Sequence, residues 1–254
     1  MVLALSRVPI FRRSGGLILL YHRVTPQSGP SIHGTSISAV QFERHLTVLR
    51  ERYQVVPLPQ LVEELASGIF SSSWQIAITF DDGYQDNHKF VLPILKRFNV
   101  RASFFVITDG IGSPQEFWWH RLERIIRCCS MDSLLFDQTR YPLTTPTDRK
   151  NTILFLFSVL RDLYGEEKER MLAKLSRMAG VEDGPPNEEN FLMSWDQVFD
   201  MVRAGMHIGS HTCTHPRLSC LPRHQLVREL AESRRVLEEQ LRIPVTAIAY
   251  PYGH

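Results

Sequence analysis

The stretch Ile76-Ala77-Ile78-Thr79-Phe80-Asp81-Asp82-Gly83-Tyr84 constrains this chain more than any other. Five apolar or β-branched residues in a row read as a buried strand. The strand stops on two adjacent carboxylates and a glycine. For as long as strand geometry persists, alternation sends Asp81 and Asp82 to opposite faces, so the two acids are expected to do different jobs, one ligating a metal and the other holding or removing a proton. Gly83 permits a sharp turn, and Tyr84 opens a helical pattern. Paired acids at the C-terminal end of a strand are where α/β enzymes keep their chemistry. The competing reading is an Asp-Gly turn with both acids in water.

Strand and helix patterns alternate around this stretch. Gly16 to Val24 reads as a first buried strand ending in Tyr21-His22-Arg23. Ser38-Ala39-Val40-Gln41 is a capping box, followed on one helical face by Phe42, Leu46 and Leu49. Tyr53 to Leu58 is a second strand, and Leu61, Val62 and Leu65 mark a short helix that Gly68 can end. After the central strand comes a helix from about Tyr84 to Phe98, kinked at Pro93, and then a strand over Arg101–Ile107. This β-α alternation predicts a parallel sheet or barrel with helices outside. It breaks at an insertion of about residues 109–193, mostly helical, with a short hairpin over Leu134–Leu143 and a loop at Asp183-Gly184-Pro185-Pro186-Asn187. Alternation resumes with a second capping box, Ser194-Trp195-Asp196-Gln197, a strand over Met206–Ser210, and a long helix beginning at Pro222. The inner face of that helix is expected to carry Leu226, Leu230, Leu237 and Leu241. A sixth strand covers Thr246–Tyr250. Six strands are too few to close an eight-stranded barrel, and the last has no helix behind it. A C-terminal part of the barrel is therefore expected to be missing from a single domain spanning 1–254.

The second informative stretch is His211-Thr212-Cys213-Thr214-His215-Pro216. Two histidines at i and i+4 on a helical turn lie close enough to share one cation, and Pro216 limits that helix to a single turn. The acids and the histidines both follow strands of one alternation, so they belong on one rim. A third rim strand brings Tyr250-Pro251-Tyr252-Gly253. One carboxylate and two imidazoles, with positions left for water, make a hydrolytic metal site.

TFDDG at 79–83, HTCTH at 211–215 and AYPYG at 249–253 together resemble the polysaccharide deacetylase family, the NodB-homology or carbohydrate esterase 4 enzymes, as do YHRV at 21–24, SWDQ at 194–197 and HPRLS at 215–219. The resemblance implies a distorted (β/α) barrel that removes N-acetyl groups from an N-acetylated sugar or polysaccharide. It implies Asp81 as catalytic base, with Asp82, His211 and His215 around one divalent cation, most plausibly Zn²⁺. The backbone N–H of Tyr252 is implied at the oxyanion, with Pro251 and Tyr252 against the substrate. The third motif has no arginine to hold the base, which marks a subgroup. The family's catalytic acid is a histidine C-terminal to this point, and His254 stands too close to the third motif to be that residue. Two other functions stay open: hydrolysis of a small non-sugar amide, and a truncated metal-binding remnant without catalysis.

The remaining residues set bounds. Hydrophobic residues make up 43% and charged residues 22% of the 254, as in ordinary globular proteins. A net charge of +2 with no basic blocks gives no reason to invoke nucleic acid. No apolar run reaches the roughly 20 residues of a membrane span. Met1–Phe11 lacks the pattern of a signal peptide, and the four cysteines suggest no disulfide framework. A reduced, cytoplasmic setting is expected. His22, at the end of the first strand, either faces the site to meet substrate or is a structural histidine. Phe117-Trp118-Trp119 is either a sugar platform or, as favoured, core of the insertion. Cys128-Cys129 is expected to pack a helix and bind no zinc. Nothing in the sequence fixes the oligomeric state.

Overall fold

The computed structural model describes residues 15–27, 34–68, 73–114, 116–182 and 185–253. Met1–Phe11, Asp183, Gly184 and His254 lie outside them. In chain order the strands are β1 (Gly15–Tyr21), β2 (Arg23–Thr25), β3 (Ser36–Ser38), β4 (Gln54–Val55), β5 (Trp74–Phe80), β6 (Ser103–Val106), β7 (Ser133–Phe136), β8 (Thr139–Pro142) and β9 (His207–Ser210). The helices are α1 (Ala39–Arg52), α2 (Leu58–Ser67), α3 (Leu92–Phe98), α4 (Trp118–Cys128), α5 (Pro146–Arg161), α6 (Gly165–Ala179), α7 (Trp195–Arg203) and α8 (Arg223–Leu241).

The main sheet is parallel, in the order β1-β5-β6-β9, with β4 pairing the start of β5. Register runs from Leu17↔Ile76 through Thr79↔Ser103 to Phe104↔Ile208, and Ser210 bridges Ile248 on the far side of β9. Parallel pairing puts the C-terminal ends of all these strands on one rim. The covered face of the sheet carries Ile76, Ile78, Phe80, Phe104, Val106 and Ile208 against Phe42 and Leu46 of α1, Leu95 of α3 and Val198 and Met201 of α7. Phe80 stacks between Tyr21 at 5.4 Å and Phe104 at 4.9 Å. The opposite face is thinner: Ala77 and Phe105 meet Val56, Leu58 and Leu61, with Ala247 and Ala249 alongside. Gly209 is required there, because a Cβ would stand 2.5 Å from the Phe105 ring and 3.0 Å from the Ala247 carbonyl.

Residues 109–193 build a second hydrophobic cluster of their own. Trp118, Trp119, Leu122 and Ile125 of α4 pack on Leu156 of α5 and Leu172 and Leu175 of α6, and Tyr84 joins them from beside the sheet. Both capping boxes form as expected, at Ser38/Gln41 and Ser194/Gln197. The hairpin is present as β7–β8.

Several expectations are corrected. The first strand ends at Tyr21 and is not buried: Ile18 and Leu20 are 50% and 54% exposed, because β1 lies at the edge of the described sheet. Arg23–Thr25 instead pairs with Ser36–Ser38. The second strand shrinks to Gln54–Val55, and the sixth to the single bridge at Ile248. The kink at Pro93 takes the form of a π-helical turn over Asn87–Val91, which accommodates the hydrogen bond that a proline nitrogen cannot donate. On α8, Pro222 caps the helix from outside. Its inner stripe is Glu229, Ser233, Leu237 and Leu241, while Leu226 and Leu230 are only half-buried. No described helix is long and apolar enough to cross a membrane.

Candidate metal centre and its surroundings

The metal candidates are assembled by the rim itself. Asp81 N–H donates to the Tyr21 carbonyl at 3.0 Å, and His211 N–H to the Val106 carbonyl at 2.9 Å, so the residue after each strand is fixed by its neighbour strand. Ser210 N–H donates to the Ala247 carbonyl and Ala249 N–H to the Ser210 carbonyl, each at 3.0 Å, which sets the third motif beside the second.

Strand geometry does not persist into the acids. Asp82 takes φ 73° and Gly83 φ 77°, a left-handed pair that swings the Asp82 carboxylate toward the histidines. The residues 211–215 do not form a helical turn either. They make an open loop with Thr212 at φ 72° and His215 at φ 59°. Non-glycine residues in this region cost of order 1–3 kcal/mol each and persist only where their surroundings over-determine them. Here the surroundings are specific. Ser210 Oγ accepts from Thr212 N–H, Thr212 Oγ1 accepts from His215 N–H, and the buried Glu229 carboxylate accepts from Cys213 N–H at 2.8 Å, Thr214 N–H at 3.0 Å and the Thr214 hydroxyl at 2.7 Å.

The outcome is that His211 Nε2 and His215 Nε2 each lie 3.4 Å from Asp82 Oδ1, with all three residues buried. His211 Nδ1 donates to the Ala249 carbonyl at 2.9 Å, and His215 Nδ1 stands 3.2 Å from the Tyr252 hydroxyl. Because a carbonyl only accepts, the His211 ring donates from Nδ1 and, when neutral, turns its Nε2 lone pair toward the acid, the arrangement of a metal-binding histidine. Asp82 Oδ1 is buried with no hydrogen-bond partner. A buried, unpartnered carboxylate oxygen between two imidazole nitrogens is what a divalent cation would satisfy.

The electrostatics separate the two acids. Burial alone would raise the Asp82 pKa, but the neighbouring imidazoles, with the Nε2 atoms of His211 and His215 each 3.4 Å from its Oδ1, hold it well below the carboxylate range. Asp81 is pushed up, chiefly by burial, and its Oδ1 has no partner. Burial also drives His215 down to about 3, keeping it neutral. His22 is half-buried, and its charge is felt at Asp81, Asp82 and His215, so it belongs to the neighbourhood of the site. Pro251 is buried, and Tyr252, at φ 60°, packs its ring 4.7 Å from that of His215.

Sequence reasoning missed the support supplied by the insertion. Trp119 packs edge-on to His215 at 5.0 Å, its indole N–H donates to the Tyr84 hydroxyl at 3.0 Å, and His120 Nε2 meets the same hydroxyl at 2.9 Å. Both tryptophans are core residues, as favoured, yet the core they build is also a wall of the site. Cys129 packs into the insertion's core as a helix-packing residue should, whereas Cys128 is exposed, a correction to the expectation for the pair.

The sequence model of the family described as polysaccharide deacetylase matches residues 72–128 and 138–254. The chain belongs to the polysaccharide deacetylase family. A Bacillus subtilis protein, YxkH, assigned by name to the polysaccharide deacetylases, is 22% identical over 237 residues. That alignment covers 93% of this chain and 56% of YxkH, so the chain spans about half the length of its curated relative. Among solved structures, the Streptococcus pyogenes deacetylase PplD in complex with acetate superposes with a TM-score of 0.57 at 18% identity, covering 93% of this chain and 74% of PplD. IcaB from Ammonifex degensii gives 0.56 at 21%, covering 94% and 75%. At these identities the likeness establishes the fold, the distorted barrel of the NodB type.

Proposed function

We propose that this chain is a metal-dependent hydrolase that removes N-acetyl groups from an N-acetylated sugar or polysaccharide. The observation that carries the reading is the convergence of His211 Nε2 and His215 Nε2 on the unpartnered Asp82 Oδ1, beside a second carboxylate with a raised pKa. Asp82, His211 and His215 would hold one divalent cation, with Zn²⁺ the best match to a carboxylate-and-imidazole set. Such a cation supplies Lewis-acid polarisation of a carbonyl and a lowered pKa for water.

The chain's own groups supply the rest. Asp81 is suited to the proton. Burial raises its affinity for one, and its free Oδ1 can accept from an incoming water without first giving up another bond. Hydrolysis then breaks the amide C–N bond, and the departing nitrogen takes a proton to leave as an amine. Tyr252 and Pro251 form the side of the site next to His215, against which the acetyl group would lie, with the Tyr252 backbone N–H as the oxyanion donor. His22, half-buried in the neighbourhood of the two acids, is suited to a sugar hydroxyl.

The test is metal analysis of purified protein together with acetate release from an N-acetylglucosamine oligomer. One metal per chain, lost in the His211→Ala/His215→Ala double variant along with acetate release, is expected. Unchanged metal content in that variant would overturn the assignment.

A further inference from the structure

His22 falls between β1, which ends at Tyr21, and β2, which begins at Arg23, and belongs to neither strand. Its backbone is nevertheless fastened, bond by bond, to the segment that carries the two acids. Asp81 N–H donates to the Tyr21 carbonyl at 3.0 Å, and Asn87 Nδ2 to the His22 carbonyl at 2.9 Å. Asp86 takes the other flank, accepting from Arg23 Nε at 2.8 Å and from Val24 N–H at 3.3 Å. We infer that Asp86 and Asn87 are positioning residues for His22, a clamp that makes its imidazole and the two carboxylates one rigid unit. The inference rests on the deacetylase reading only for what His22 meets, a sugar hydroxyl.

Three observations carry it. First, both clamp residues are buried, Asp86 at 4% and Asn87 at 0% exposure, and Asn87 Nδ2 also donates to Asp86 Oδ1 at 2.9 Å. Polar groups taken out of water are costly unless bonded, and here the bonds go to residues 22–24. Second, the clamp is braced from outside. Arg23 passes its remaining N–H groups to Asn190 Oδ1 at 2.8 Å and to the Glu189 carbonyl, and its guanidinium lies 4.4 Å from the centre of the Tyr84 ring. A buried ion pair such as Arg23–Asp86 adds little net stability over an apolar pair of the same size. Fixed geometry is what it offers instead. Third, His22 stands in the electrostatic neighbourhood of both Asp81 and Asp82. A side chain so placed needs a constant distance from the acids, and a backbone tied to residues 81–87 supplies it.

The test separates an effect passed through His22 from a general loss of packing. Asn87→Leu keeps the volume and removes both hydrogen bonds, His22→Gln removes the imidazole, and the double variant closes the cycle. Acetate release from an N-acetylglucosamine oligomer should fall on the order of 10²-fold in Asn87→Leu, the scale of a small misplacement. Added to His22→Gln, the same change should cost nothing more. Bound Zn²⁺ should be retained, since Asp82, His211 and His215 keep their own supports. Side-chain ¹H–¹⁵N spectra of the imidazoles in the full chain need no turnover. The His22 signals, assigned from their absence in His22→Gln, should shift or broaden in Asn87→Leu. Should that variant not fold, Asn87→Ser, whose hydroxyl stops short of the His22 carbonyl, replaces it in both measurements. Undiminished acetate release in the Asn87 variant, equal losses in the two backgrounds, loss of Zn²⁺, or unmoved His22 signals would each overturn the inference. Moved signals in a protein whose wild type releases no acetate would sink the deacetylase reading and leave the clamp standing.

Discussion

Glu229→Ala should damage the metal centre from beneath. The Glu229 carboxylate is 1% exposed and accepts from Cys213 N–H, Thr214 N–H, the Thr214 hydroxyl and the Tyr164 hydroxyl, the last at 3.1 Å. Truncation strands two backbone donors in the interior, each worth about 1–3 kcal/mol when unsatisfied. The hydroxyls can turn to other partners and add less. The left-handed Thr212 and His215 then lose part of what holds them, so a total of about 3–4 kcal/mol is expected. Glu229→Gln behaves differently. Its carbonyl oxygen can face both N–H groups while its amide donates to the Thr214 and Tyr164 oxygens, so only charge assistance disappears, about 1 kcal/mol. Urea denaturation of the three proteins, with m-values compared, reads the stability order. Because His215 rides on this loop, the alanine variant should also bind Zn²⁺ about 10–100-fold more weakly, the usual cost of losing an outer support. Equal losses for alanine and glutamine, or wild-type Zn²⁺ affinity in the alanine variant, would refute the reasoning.

Asp82→Asn should abolish stoichiometric metal binding, measured by equilibrium dialysis, since it removes the charge that faces both Nε2 atoms. Asp81→Asn should keep the metal and lose about 10²–10⁴-fold in turnover; metal loss equal to that of Asp82→Asn would show that the two acids share the cation. Lys168→Met should stabilise the protein near neutral pH. Burial lowers the Lys168 pKa from 10.5 to about 8, a penalty of about 3 kcal/mol on the charged form, partly offset by about 1 kcal/mol from its ammonium lying 4.7 Å from the centre of the Trp118 ring. The sign follows: below pH 8 the folded state carries the full penalty, which fades as pH rises toward 10.5, so the advantage of the methionine should shrink over that window in melts. An advantage independent of pH would place the amine in water.

The chemistry was legible because it sits at strand ends. Short, apolar β5 terminating in two acids, and β9 terminating in a histidine, need only parallel pairing to bring their next residues together, and pairing follows from the alternation. What escaped were features set by neighbours. β1 looks buried from composition, but Ile18 and Leu20 are exposed because no described strand lies beyond it. The spacing of His211 and His215 suggested a helical turn, whereas the hydrogen bonds of Ser210, Thr212 and Glu229 favour an open loop that helix spacing does not describe. One signal was available for Glu229. Continuing the four-residue stripe of Leu241, Leu237 and Ser233 toward the N-terminus reaches 229, not Leu226 or Leu230. An acid on the inner stripe of a helix needs partners, and the loop after β9 is the nearest supply.

The insertion changes what the motifs mean. Read alone, the segment of about residues 109–193 is a small helical unit with its own core, and nothing in it resembles a metal or acid–base motif. Its first helix nevertheless places Trp119 against His215 and ties the Tyr84 hydroxyl to both Trp119 and His120. Tyr84 directly follows the acid motif, so the insertion grips both halves of the candidate metal site, the Asp82 side through Tyr84 and the His215 side through Trp119. A polar hydroxyl buried at 2% exposure would be costly without those two partners. The insertion's core and the site's geometry are therefore coupled: a change such as Leu122→Ala, about 2–5 kcal/mol in a fully buried position, would loosen the wall that Trp119 forms without touching Asp82, His211 or His215.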